Sequence, residues 1–190
     1  MVCMIRKSNF RRHLIFMKKD NKNKNTPAKT QSKKQIEQTV RTLVETAIVN
    51  LGYEIWDIEY YHDGIEWLLE ITIDKPESGI SLDDCEKVTR AVNPIIDEAD
   101  PIENSYSFAV SSPGLNRELK NAFHLSKYIN KQVTAKLFAK NETVGEKAFH
   151  AILKEFSSEN FKFELMPGNT PLALAKKEVA HIYAYAEINI

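Results

Sequence analysis

The stretch YSFAVSSPGLNREL, residues 106–119, decides how the chain is read. Tyr106, Phe108 and Val110 alternate with Ser107, Ala109 and Ser111, the period-two pattern of a strand with one buried face. After Ser112, Pro113 pre-sets φ for the first central position of a turn, and Gly114 offers the positive φ that a type II turn needs next. Leu115, Asn116 and Arg117 stand just beyond. A strand that runs into so rigid a corner joins two domains or presents a binding surface, and the residues alone leave both readings open.

Upstream, Ile36, Val40, Leu43, Val44, Ala47, Ile48 and Leu51 recur at helical spacing, and Gly52 follows as a terminating residue. Trp56, Ile58 and Tyr60 alternate with Ile55, Asp57 and Glu59. Trp67, Leu69, Ile71 and Ile73 do the same with Glu70, Thr72 and Asp74, and Asp63-Gly64 between the two runs predicts a hairpin. Ser81 with Asp84 three residues on predicts a capped helix start. Cys85, Val88, Val92 and Ile95 or Ile96 give that helix its buried stripe. Pro94 should kink this helix or end it near Ala91 to Asn93. The order helix, strand, strand, helix, strand predicts a two-layer α+β domain over 35–115, with both helices on one face of a three-stranded sheet.

Downstream, residues 132–138, 147–156, 160–166 and 178–185 read as short strands separated by tight turns, with Phe161, Phe163 and Leu165 lining one face. Closely spaced strands of this kind predict a small barrel over 116–190. The first 34 residues form a basic leader that is expected to lack folded structure, since the portion from Lys18 onward has no apolar periodicity. Its run from His13 to Met17 is too short for a secretory signal core.

The net charge of zero conceals segregation. Residues 1–34 carry 11 basic side chains and one acid, a balance of +10; residues 35–118 carry 5 and 18, a balance of −13; residues 119–190 carry 10 and 7, a balance of +3. The acidic middle repels bulk RNA and attracts a basic protein, speeding their encounter. Asp57, Glu59, Asp83 and Asp84 are its candidate acidic face. In the last part Lys120, Lys127, Lys131, Lys136 and Lys140 form a basic string, facing solvent or touching RNA. No apolar run approaches the roughly 18 residues of a membrane span, so a membrane is not expected as a partner. Two cysteines, Cys3 and Cys85, make no disulfide framework, which points to a reducing cytoplasm.

Catalytic chemistry finds little footing. Ser111 and Ser112 lack a G-x-S-x-G elbow, and the nearest histidine in sequence, His124, has no orienting acid implied. Asp83 and Asp84 could bind a divalent cation with Asp57 or Glu59, as in a carboxylate-metal nuclease, although helix N-termini favour acids for dipole reasons alone. The five histidines are scattered, and the six glycines include no phosphate-binding loop and no GXXG. No catalytic residue, metal site or cofactor is expected.

Three stretches, LGYEIWDIEY with its hairpin, ISLDDCEKVTRAV and YSFAVSSPGLNREL, make the chain from Ile36 to about Tyr185 resemble the bacterial ribosome maturation factor RimP family. The resemblance implies an α-β-β-α-β domain with a KH-like layout, followed by an SH3-like or Sm-like β-barrel. It also implies a non-enzymatic cytoplasmic factor, expected as a monomer, that binds the assembling small (30S) ribosomal subunit. Its partners would be a basic ribosomal protein and ribosomal RNA. The corner of Ser111, Ser112, Pro113, Gly114, Leu115 and Arg117 is its candidate binding element and would fix the angle between the two surfaces. Arg117 would pair with a phosphate or carboxylate of the partner, or brace the joint through an acid of the first domain. The alternative is a free-standing Sm-like module acting on small or messenger RNA.

Overall fold

The computed structural model describes residues 2–7 (backbone only), 31–75 and 79–185. The chain divides into two units, Met1–Ser112 and Pro113–Ile190. The apolar run His13–Met17 lies outside the described residues.

In the first unit, helix α1 (Lys33–Asn50) begins at Ser32, whose hydroxyl accepts from Gln35 N while the Gln35 side chain receives the Ser32 N–H. This reciprocal pair satisfies donors that a helix start otherwise leaves open. At the other end Gly52 N donates to Val49 O and Tyr53 N to Ile48 O, a Schellman closure. Gly52 sits at φ +85°, where a β-carbon would be strained. Strands β2 (Glu54–His62) and β3 (Trp67–Asp74) pair antiparallel, and β3 pairs in parallel with β4 (Tyr106–Ser111).

Helix α2 (Leu82–Ala99) supplies the crossover between β3 and β4. Ile36, Val40, Val44 and Ile48 of α1 and Cys85, Val88, Val92 and Ile96 of α2 bury against Ile55, Ile58, Leu69, Ile71, Ile73, Phe108 and Val110 of the sheet. At about 25 cal/mol per Å2 of apolar surface removed from water, this shared layer is the main stabilising term of the unit.

Three sequence expectations are corrected here. The sheet has a fourth strand: Val2–Lys7 (β1), assigned to the basic leader by its charge, pairs antiparallel along the whole of β4 in the order β1-β4-β3-β2. β4 is therefore central and buried on both faces, not one. Second, a bulge between Ile55 and Asp57 shifts the register of β2, so Ile55, Ile58 and Tyr60 share the core and Trp56 does not. One inserted residue moves neighbouring side chains to opposite faces. Third, α2 does not end before Pro94 but runs through it to Ala99. Pro94 is exposed, while Val92 and Ile96 on either side are fully buried. Packing of that stripe offsets the roughly 3 kcal/mol a proline costs inside a helix.

The second unit begins with a short helix, α3 (Ala122–Ser126), capped by the Asn121 side chain. A five-stranded antiparallel sheet follows: β5 (Gln132–Leu137), β6 (Ala148–Phe156), β7 (Asn160–Leu165), β8 (Thr170–Ala175) and β9 (Val179–Ala184), in the order β8-β7-β6-β5-β9. Sequence reasoning missed α3 and β8. Pro171 disguises β8, yet it is tolerated because β8 is an edge strand. Most of the strands alternate, bulges shift the β5–β9 and β6–β7 registers, and the inward set includes Val133, Ala135, Phe149, Leu153, Phe163, Leu172, Leu174 and Ile182. The ladder is open, with no pairing of β8 to β9 among the described residues. The free side of β9 is covered by Arg117–Leu119, where Leu119 N donates to Ile182 O and Ala184 N to Arg117 O. No helix among the described residues is long and apolar enough to cross a membrane.

Candidate functional site

The strand before the corner anchors its serines structurally. Ser111 is buried and its hydroxyl lies 3.3 Å from that of Thr72, while Ser112 is half-buried. In the second unit Gly114 adopts φ +71°, as a type II turn requires, and Arg117 Nε donates to the Gly114 carbonyl at 3.2 Å. The guanidinium thus braces its own turn. Leu115, 69% exposed, is the apolar tip that this bracing presents. His124 is fully buried: its Nδ1 accepts the Lys120 N–H at 3.2 Å and its own N–H goes to Asn121. Ser111 and His124 both belong to local structural networks.

The four acids of the expected face do not lie together. Asp57 and Glu59 point away from the helices, with Glu59 directly opposite Glu70 and Tyr61 Oη donating to Glu70 Oε2 at 3.0 Å. Burial first, then the Glu70 charge, pushes the Tyr61 phenol up to about 12. Asp83 and Asp84 open α2, on the helical side of the sheet. Asp84 is a structural hub. Its Oδ2 accepts from Ser81 N at 2.9 Å and Ser81 Oγ at 2.8 Å, and its Oδ1 from Tyr53 Oη at 2.5 Å and Lys75 Nζ at 3.2 Å.

These donors, led by Tyr53, hold the Asp84 carboxyl well below the usual carboxylate range, and Asp84 in turn raises Tyr53 to about 12. Asp83 is exposed. Among the described residues no three potential metal-ligating side chains converge, so the Asp57–Glu59–Asp83–Asp84 metal reading has no geometric basis there.

Sequence reasoning passed over the acids at the opposite end of α2. Asp97 and Glu98 occupy its last turn, which holds no basic residue of its own to balance the helix dipole, and Asp100 caps it in a left-handed conformation. Asp100 and Glu103 line a cleft of about 420 Å3 with Gln31, Thr39, Leu43 and Pro101. Burial first, then the Asp97 and Asp100 charges, pushes the nearby Tyr106 phenol up.

In the second unit three of the five singled-out lysines sit over aromatic rings. Lys127 Nζ lies 5.0 Å from the Phe123 ring centroid, Lys131 Nζ 5.3 Å from that of Tyr128, and Lys136 Nζ 4.8 Å from that of Tyr183. Such pairs hold an ammonium group over the negative face of the ring. Lys120 lies apart from these pairs, on a cleft of about 550 Å3 with Leu125, Phe156 and Phe161. The ring partners were not singled out beforehand, although Phe123–Lys127 and Tyr128–Lys131 stand at helical-turn spacings in the sequence.

An acidic two-layer α/β domain with no phosphate-cradling glycine loop thus precedes a β-sheet unit studded with lysine–ring pairs. Residues 43–116 match the family model described as the RimP N-terminal domain, and the match ends two residues beyond the Pro-Gly pair. That segment is similar to the RimP N-terminal domain, which supports the RimP family of ribosome maturation factors.

Proposed function

We propose that the chain is a non-catalytic, cytoplasmic maturation factor that acts as a monomer by docking on the assembling small (30S) ribosomal subunit. The observation that carries this reading is the match to the RimP N-terminal domain across residues 43–116, the segment that concentrates the acids. In this reading the acidic unit, residues 35–115, receives a basic ribosomal protein. Asp57 and Glu59 on the sheet face contribute, as do Asp83 and the acids at the end of α2. Asp84 contributes charge while holding the helix start. Leu115 at the tip of the corner supplies an apolar anchor, and Ser111, Ser112, Pro113, Gly114 and Arg117 shape the turn that presents it.

The second unit, residues 116–190, is read as an SH3-like or Sm-like barrel whose sheet curls over its single buried face. Its Lys120, Lys127, Lys131 and Lys136 carry contacts to ribosomal RNA. Sedimentation with purified immature small subunits tests the reading. The full chain is expected to co-sediment with them, less so as salt rises, and Asp57→Lys/Glu59→Lys is expected to weaken the association. Absence from those particles at low ionic strength would overturn it.

A further inference from the structure

The outward face of β6, β5 and β9 gathers polar rings that neither the hydrophobic core nor the acidic docking surface explains. His150 on β6 and Tyr183 on β9 both stand directly opposite Thr134 of β5, one on each side. Lys136, the next outward residue of β5, stands opposite His181 and sits over the Tyr183 ring at 4.8 Å. Tyr185 extends the row past β9: its N–H bonds to Gln132 O, and its ring meets His150 edge-on at 4.8 Å. His150, His181, Lys136 and Tyr185 are exposed, and Tyr183 is half-buried. The backbones of β6 and β9 lie about 10 Å apart across β5, and their long side chains lean together over Thr134.

We propose that this face binds single-stranded RNA, with bases stacking on Tyr183, Tyr185 and His150 while Lys136 holds the phosphates. Every base has a π-face, so a set of rings with interspersed cations recognises unpaired nucleotides without reading sequence. Charge favours RNA over a basic protein. Two nearby acids are tied up, Glu118 with His181 at 2.6 Å and Glu164 with Lys154 at 3.6 Å, and residues 119–190 carry a surplus of three positive charges. Lys136 already stands over a ring, so a base arriving on Tyr183 places its phosphate within reach of that ammonium. The proposal deepens the RNA contact of the reading above and rests on it. It does not depend on the acidic unit.

The test uses the full chain and a fluorescent oligouridine too short to fold, titrated at low salt and followed by anisotropy, beside an RNA duplex of similar length. The single strand is expected to bind more tightly than the duplex. Tyr183→Ala should weaken it about tenfold and Tyr183→Phe little, because a phenyl ring still stacks. Lys136→Gln should weaken binding and lower the salt slope by about one charge. Far-ultraviolet circular dichroism checks that each variant folds. Failure of the wild type to bind the oligonucleotide, equal affinity for the duplex, or indifference to Tyr183→Ala would each overturn the proposal. So would a Tyr183→Ala variant that loses ribosomal particles yet keeps the oligonucleotide, since that marks a protein-binding face. Asp57→Lys/Glu59→Lys separates the two readings, since it should weaken particle binding without weakening the oligonucleotide.

Discussion

Replacing Asp84 by alanine should show that this acid holds the fold together more than it supplies negative charge. Four donor groups converge on its carboxylate, two of them from Ser81 at the helix start and the others from Tyr53 and Lys75. Loss of the helix cap costs about 1 kcal/mol. A hydrogen bond to a charged acceptor contributes roughly 1.5–3 kcal/mol. The Asp84 side chain retains 16% of its exposure, so water partly replaces what is lost. The expected cost is therefore about 2–3 kcal/mol, read from urea unfolding at neutral pH.

Asp83→Ala, an exposed acid in the same first turn, should cost only about 0.5 kcal/mol through the helix dipole. Combining Asp84→Ala with Tyr53→Phe should reveal a coupling of about 1 kcal/mol or more, because each change removes the same bond. Equal costs for Asp83→Ala and Asp84→Ala, or additive behaviour in the double variant, would refute the hub.

The same contact predicts a two-sided pH window. The depressed Asp84 pKa gives stability that is complete above about pH 4 and lost as pH falls through the folded value, whereas the raised Tyr53 pKa gives stability complete below about pH 10 and lost towards 12. Unfolding midpoints across pH should show both limbs, and Asp84→Asn should flatten the acid one. Deleting residues 1–7 should lower the urea midpoint of the first unit and promote association, because the β4 edge that β1 covers is then unpaired; an unchanged midpoint would show β1 to be dispensable. Glu98→Lys should stabilise the first unit by about 0.5 kcal/mol while weakening binding to small-subunit particles, as measured by melting and by sedimentation.

What was legible in the sequence was whatever local chemistry controls. Gly52 ended α1 and Ser81 with Asp84 opened α2 because caps are set by residues within one turn. Ile58 and Tyr60 were read onto the core face correctly, but Ile55 and Trp56 were exchanged, since a bulge leaves no composition signal and only the register with β3 reveals it. β1 was concealed by its charge, and β8 by Pro171, although Leu172 and Leu174 already alternate. The lysines of the second unit were visible, and so were the spacings that seat Lys127 and Lys131 on rings. The pairing of Lys136 with Tyr183 was not visible, because only the β5–β9 ladder brings those residues together.

The acids divide in a way that bears on selection. Asp83 and Asp84 sit where the positive end of α2 welcomes them, and Asp84 is bonded on both oxygens, so helix stability alone accounts for their presence. Asp97 and Glu98 sit where the same dipole repels them, and Asp100 adds a third negative charge at that end. Asn93 Nδ2 donates to Asp97 Oδ2 at 2.9 Å. In the proposed reading, acids placed against the helix dipole serve docking rather than folding. This is why Glu98→Lys is expected to move stability and binding in opposite directions. A substitution that improved both would leave the acidity of this unit without a docking role.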